Sequence, residues 1–183
     1  MAFISTTIIA VKKDGKVVVA GDGQVTANNT VMKGNARKVR RLLDGKIVVG
    51  FAGGTADAFT LTELFEKHLK SKNGDLTRAA VDTAKEWRSD KALRQLDAMM
   101  IASDGKKIFL MTGVGDVIEA EDDAIAIGSG GNYALASAKT SLALCKEHDL
   151  KLSARDIAVR ALEMASSLCI YTNSNFTIEE IQG

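Results

Sequence analysis

Proline is absent from the 183 residues, so the turns fall to glycine, asparagine and aspartate. The two cysteines, Cys145 and Cys169, are too few for a disulfide framework, which points to a reducing, cytoplasmic compartment. Histidine is equally scarce. His68 and His148 belong to no His-Glu-x-x-His pattern, which argues against a transition-metal hydrolase. Cys145 and His148 stand three apart at a helix end, a pair read as a small core residue and a solvated imidazole. No apolar run approaches the ~20 residues of a membrane-spanning helix. The opening stretch MAFISTTIIAVKK lacks a basic region followed by a long apolar one, so it does not read as a secretory signal. Charge of one sign is not in surplus: 24 Lys+Arg against 23 Asp+Glu leave +1, which selects neither nucleic acid nor an anionic membrane. There is no Gly-x-x-x-x-Gly-Lys-Ser/Thr, and hence no P-loop for a nucleotide, and no Gly-x-Gly-x-x-Gly after a strand.

What is present suits one globular domain: 46% apolar and 26% charged residues, without a linker or low-complexity tract. Two β-branched runs, TIIAV and KVVVA, flank Asp14-Gly15, a hairpin signal over Thr7–Ala20. A tight Gly21-Asp22-Gly23 turn follows, then a polar stretch, then a strand over Lys46–Ala52. Helical spacing begins at Thr55 with Leu61, Leu64, Phe65 and Leu69. It recurs from about Asp75 to Asp90 with Leu76, Ala80, Ala84 and Trp87 on one face.

The pattern then restarts. Ala98–Ser103 and Lys106–Met111 flank a second hairpin turn, Asp104-Gly105, and strands near Asp116–Glu119 and Ala124–Ile127 lead into Gly128-Ser129-Gly130-Gly131. Of two further helices, one carries Leu135, Ala138, Leu142 and Cys145. The other opens on the capping box Ser153-x-x-Asp156 and is expected to bury Ile157, Ala161, Met164 and Leu168. Thr177–Ile181 is a last strand. Strands and helices are grouped rather than alternating, which favours an α+β layered sandwich of antiparallel sheets.

Candidate chemistry concentrates at the start. Ser5-Thr6-Thr7 immediately precedes an apolar strand. Were the five leading residues removed, Thr6 would carry a hydroxyl and a free α-amine on one rigid strand end. An α-amine has a pKa of ~7.7–8, low enough to act as a base near neutrality. The bland alternative is β-prone sequence entering a strand. Asp22 lies one hairpin away, and Lys38 sits in the basic run Lys33–Arg41. A buried lysine beside the amine would disfavour its protonation, and an aspartate would orient that lysine. The same run also reads as a solvated basic face or, more weakly, as a nucleic-acid patch. Gly50-Phe51-Ala52-Gly53-Gly54-Thr55 offers backbone N–H groups for an oxyanion, or is merely a tight strand-to-helix turn. Ser129 either bonds near the nucleophile or caps its helix.

Together these segments resemble the HslV family of bacterial peptidases, proteasome-β-like N-terminal-nucleophile hydrolases. The matching stretches are Thr6-Thr7-Ile8, Gly21-Asp22-Gly23-Gln24, Val31–Asn35, Lys38-Val39-Arg40, Gly50–Ala58, Glu86-Trp87-Arg88, Ile127–Gly131 and Cys169–Asn173, spread over essentially the whole chain. The resemblance implies a four-layer α-β-β-α sandwich, with residues 1–5 a removed propeptide and 6–183 a single peptidase domain. It makes Thr6 the nucleophile, Lys38 and Asp22 its electrostatic partners, Ser129 an active-site serine and Gly53 the oxyanion donor, with Gly50 close by. Ser5, directly before Thr6, is the other residue able to serve as N-terminal nucleophile; Thr6 aligns with the family's Thr-Thr-Ile. The resemblance also implies a sodium ion on the backbone carbonyls of Ser166, Cys169 and Thr172, Ser166 replacing a glycine common in the family. Two stacked six-membered rings are implied as the assembly, fed with unfolded protein substrates by an HslU-type AAA+ ATPase hexamer that supplies the ATP dependence. An unprocessed ring subunit of the same fold and a stand-alone amidohydrolase are the competing readings.

Overall fold

The computed structural model describes residues 6–90 and 98–183; the assigned propeptide, residues 1–5, lies outside them. Strands β1 (Thr7–Lys13) and β2 (Lys16–Gly21) form the hairpin that Asp14-Gly15 encodes, both turn residues having positive φ. With β10 (Ala124–Gly128) and β11 (Thr177–Gln182) they make an antiparallel sheet in the order β10-β1-β2-β11. A second antiparallel sheet, β5-β6-β7-β8-β9, is built from Val39–Leu42, Ile47–Gly53, Ala98–Ser103, Ile108–Thr112 and Val117–Glu119.

Side-chain alternation along β1 explains the layering. Ile8 and Ala10 point to the second sheet, joining Val48 and Ala52 of β6 and Ile101 of β7. Ile9 and Val11 point the other way, onto helices α3 (Gly131–His148) and α4 (Ala154–Leu168). Both faces of this strand are therefore dry, which is why it reads as a continuous apolar run. On the far side of β6, Ile47 and Val49 pack against Leu61, Phe65 and Leu69 of α1 (Thr55–Ser71) and Trp87 of α2 (Leu76–Ser89). The Trp87 indole N–H donates to the Gly113 carbonyl, so its one polar atom is satisfied in the core. Helix-sheet-sheet-helix is the four-layer sandwich that the family resemblance implies, and it agrees with the grouping of strands and helices along the chain.

The capping box of α4 is present with both bonds formed, Ser153 Oγ accepting from the Asp156 N–H and Asp156 accepting from the Ser153 N–H. Two expectations for that helix fail. Met164 is 49% and Leu168 58% exposed. The stripe facing β1 is Ala154, Ile157, Ala158, Ala161, Leu162 and Ala165, so Leu162 takes the place expected for Met164. Leu168, the final helical residue, projects beyond the core. Within α2 the buried face runs through Ala79, Ala80 and Thr83, leaving Ala84 half-buried. The polar stretch after Asp22 holds strands the sequence did not announce: β3 (Val25–Ala27) pairs with β4 (Thr30–Lys33) as a separate hairpin, followed by β5. All four residues of β4 are exposed, so no alternation of apolar and polar residues marks it.

Candidate active site

Thr6 stands at the first position before β1. The next residue, Thr7, turns its hydroxyl toward the α3–α4 side, where Oγ1 lies 2.7 Å from Thr172 Oγ1 and accepts the Gly130 N–H at 3.1 Å. By strand alternation Thr6 faces the opposite way, and it lines a cavity of about 370 Å³ together with Lys38, Phe51, Gly53 and Phe59. Gly128, at φ +88°, pairs with Thr7 across the ladder, and a Cβ there would overlap the Thr6 carbonyl. Only glycine lets β10 turn away this close to Thr6.

Asp22 is completely buried, and both of its oxygens are fully employed. Oδ1 accepts the Thr7 N–H and the Lys38 ammonium, each at 2.9 Å. Oδ2 accepts the N–H groups of Gln24 at 2.9 Å and Asn173 at 3.3 Å. Lys38, itself 5% exposed, also donates to the Gln24 carbonyl. Burial pulls its ammonium below the ordinary lysine range, while the charge and hydrogen bond of Asp22 push it back up. A partly desolvated cation thus opens onto the cavity that Thr6 lines, with its carboxylate partner on the other side. Such an arrangement lowers the pKa of a nearby amine and stabilises charge developing on a nearby oxygen.

Gly53 closes β6. The Phe51 N–H donates sideways to the Lys38 carbonyl, so the next residue of the same parity, Gly53, presents its N–H to the same side. No β5 residue stands there, because the β5–β6 ladder ends at the Val39–Gly50 pair. Gly53 therefore aims a backbone donor toward the Thr6 cavity. Gly50 has the opposite parity, and its N–H points to the β7 ladder. Ser129 is exposed in the turn between β10 and α3, and it does not line the Thr6 cavity. Ser5 lies outside the described residues.

The basic run divides by function rather than forming one patch. Lys38 is buried against Asp22. Arg40 stacks over the Phe59 and Phe51 rings, 4.6 and 5.5 Å from their centroids, and Arg41 pairs with Glu179 at 2.7 Å. Lys33 and Arg37 remain exposed on the cavity rim.

A family model described as Proteasome subunit matches residues 3–181. The chain is 60% identical over 177 residues, 97% of each protein, to the ATP-dependent protease subunit HslV of Treponema denticola. The chain belongs to the HslV branch of the proteasome family. The HslV subunit of Borreliella afzelii is 55% identical over 185 residues, covering 100% of this chain and 99% of the relative. Eukaryotic HslV from Trypanosoma brucei superposes with a TM-score of 0.89 at 39% identity, covering 97% of this chain and 99% of that one. Thiobacillus denitrificans BPH in complex with epoxomicin, at 18% identity and a TM-score of 0.75 over 96% and 98% of the two chains, shares the fold.

Two groups of contacts in this HslV-family chain bear on the site beyond the roles read from the sequence, where Thr172 figured only through its carbonyl. Thr7, Gly130 and Thr172 form one hydrogen-bonded cluster behind Thr6, and Gln24 and Asn173 complete the shell of Asp22. The Thr7 hydroxyl was legible only as β-branched sequence. Nothing local in the chain announces that residues 165 and 151 positions away close on Thr7 and Asp22.

Ser166, Cys169 and Thr172 fall in the last turn of α4 and the loop after it. The Cys169 carbonyl accepts the Thr172 N–H at 3.0 Å, leaving a second lone pair, and the Ser166 carbonyl lies where helix geometry supplies no intrahelical partner. Among the described residues no cluster of three His, Cys, Asp or Glu side chains stands ready for a metal. The donors are neutral oxygens, suited to a hard cation of low charge.

Proposed function

We propose that this chain is the proteolytic subunit of an HslUV-type ATP-dependent protease, working as a threonine endopeptidase with Thr6 as its N-terminal nucleophile. The observation that carries the reading is the convergence of Thr6, buried Lys38 and the unladdered Gly53 N–H on one cavity.

In this mechanism, removal of residues 1–5 frees the Thr6 nitrogen. Thr6 Oγ1 attacks the peptide carbonyl carbon while its proton passes to the α-amine, directly or through water. Lys38 opposes protonation of that amine and faces the charge developing during attack. Asp22 holds Lys38 charged and in place. The carbonyl oxygen becomes an oxyanion that accepts the Gly53 N–H. Collapse of the tetrahedral intermediate breaks the C–N bond, and the leaving amine takes the proton held by the α-amine. This leaves an ester on Thr6. Water, deprotonated by the same amine, attacks the ester and releases the carboxylic acid, restoring the hydroxyl. Ser129 lies outside the cavity lining, but it follows Gly128, which packs against the Thr6 carbonyl; the family resemblance assigns it to hydrogen bonding near the amine.

The carbonyls of Ser166, Cys169 and Thr172 would hold a sodium ion, whose charge would order the loop following α4. With no P-loop in the chain, ATP hydrolysis belongs to an HslU-type AAA+ hexamer docking on a double hexameric ring of this subunit. Confinement of Thr6 inside that ring restricts substrates to unfolded polypeptides, in the cytoplasm. The name of the relatives, ATP-dependent protease subunit HslV, supports this assignment.

Intact-mass measurement, combined with peptide hydrolysis, tests the proposal. The active protein is expected to begin at Thr6, and Thr6→Ala is expected to assemble yet lose turnover. Full activity with residues 1–5 retained, or in Thr6→Ala, would refute it.

A further inference from the structure

Lys38 is carried by a segment without regular structure. Gly34–Lys38 precedes β5, so no ladder fixes it until Val39, although the site needs the Lys38 ammonium held against Asp22. Besides the backbone bonds from the Ala36 N–H to the Gly23 carbonyl and from the Phe51 N–H to the Lys38 carbonyl, this segment is held by side chains of the loop after α4.

Asn173 bonds through its backbone N–H and through both polar atoms of its side chain. Its backbone N–H donates to Asp22 Oδ2 at 3.3 Å. Its side-chain Oδ1 accepts the N–H groups of Gly23 and Asn175, both at 3.1 Å. Its Nδ2 donates to the Gly34 carbonyl at 2.8 Å. The two donors on one end and the carbonyl on the other fix the orientation of the amide. Gly23 and Gly34 are already in close contact: a Cβ at Gly23 would lie 2.6 Å from the Gly34 oxygen, and the Ala36 N–H donates to the Gly23 carbonyl at 2.9 Å.

We infer that Asn173 is a positioning residue for the reaction, its side-chain amide clamping the Asp22 turn to the Gly34–Lys38 segment so that carboxylate and ammonium meet in one geometry. The inference rests on the Thr6 reading above. The chemistry calls for an amide: a carboxylate has no donor for Gly34, and a serine hydroxyl is too short to reach both segments. Asn175 donates to the same Gly34 carbonyl at 2.7 Å but has no bond to the Asp22 turn other than through Asn173, so it cannot replace the clamp.

The test is hydrolysis of a fluorogenic peptide by the assembled full chain carrying Asn173→Ala or Asn173→Ser, with rates normalised to the fraction of chains beginning at Thr6. Thr6→Ala is run alongside. A displaced ammonium should lower kcat by as much as about 100-fold, in line with the effect of an ångström-scale misplacement, with KM held. The acidic limb of the kcat–pH profile should move to higher pH, because Lys38 no longer opposes protonation of the Thr6 amine. A purely structural role would scale the whole profile down without moving it. That result, a kcat within about twofold of wild type, or failure of both variants to assemble would each overturn the inference. Turnover by Thr6→Ala would instead bring down the nucleophile assignment, so the two failures are told apart.

Discussion

Lys38 and Asp22 form a buried ion pair at 2.9 Å in which the accepting oxygen, Asp22 Oδ1, also receives the N–H of Thr7. One carboxylate therefore sets the position of the cation and of the backbone immediately following the nucleophile. Any change to it reaches Thr6 from two directions.

Replacing Lys38 by methionine keeps much of the side-chain volume and removes the charge. Asp22 is then buried with an uncompensated carboxylate, and loss of one partner from such a pair costs about 3–5 kcal/mol. Denaturant unfolding of Lys38→Met should register this, and peptide hydrolysis should be nearly abolished. The pH dependence follows from the lowered Lys38 pKa. Between the folded-state value and the ordinary 10.5, the unfolded chain binds more protons than the native one, so native stability from this group rises with pH across that interval. Lys38→Met should lack that alkaline rise. An identical stability–pH curve in both proteins would contradict the assignment.

Thr7→Val tests the cluster behind the nucleophile. Valine matches threonine in shape but leaves the Gly130 N–H without its acceptor and the Thr172 hydroxyl without its 2.7 Å partner. Orphaning buried groups of this kind costs about 1–3 kcal/mol. Because Thr7 and Thr172 share one contact, the double variant Thr7→Val/Thr172→Val should be less destabilised than the two single losses added together. Strict additivity in thermal unfolding would show that the contact contributes nothing.

Gly128→Ala should be severe for activity. The residue sits at φ +88°, and its new methyl would overlap the Thr6 carbonyl. The strain of a non-glycine residue in this region is of order 1–3 kcal/mol, and relief requires Thr6 to shift. Turnover per mature subunit is expected to fall more steeply than the melting temperature, whereas Gly15→Ala, with positive φ but no overlap closer than 3.6 Å, should affect stability alone.

How far the sequence carried the fold depended on whether local and tertiary demands agreed. Asp14-Gly15 encodes its hairpin because a two-residue turn with both residues at positive φ is decided by backbone sterics alone. Asp104-Gly105 marks its hairpin too, but inside a longer connection, Ser103 pairing with Ile108 and only Gly105 taking positive φ. Ser153 and Asp156 close a cap within four residues, so they too were legible. Met164 was misjudged because helical periodicity gives a face but not its exact centre, and the alanines of α4 set that centre through close packing on β1. Strand β4 escaped notice because all four of its residues are exposed and show no apolar alternation, and β3 because three residues, two of them buried, are too few to show a period. In the site, the pairing of Asp22 with Lys38 was implied by the family resemblance, electrostatics supplying only the reason for it. Thr172 and Asn173 were not foreseen in their side-chain roles, since only the folded topology brings the loop after α4 onto the Gly21–Gly23 turn.

Arg40 supplies a contrast with Lys38, only two residues away. Its guanidinium lies over Phe59 and Phe51 at the wall of the Thr6 cavity, and no hydrogen bond ties it to Asp22, whose oxygens are occupied by Lys38 and three backbone N–H groups. Cation–π stacking of this sort contributes about 0.5–2 kcal/mol and braces the two rings. Arg40→Ala should therefore enlarge the cavity and loosen its aromatic wall without touching the proton-handling groups. KM for peptide substrates is expected to rise several-fold with kcat and its pH profile retained, the signature of lost binding that is equal in ground and transition states. A fall in kcat with KM unchanged would instead place Arg40 among the groups acting on the reacting atoms, and would shift the division drawn here between the cavity wall and the Lys38–Asp22 pair.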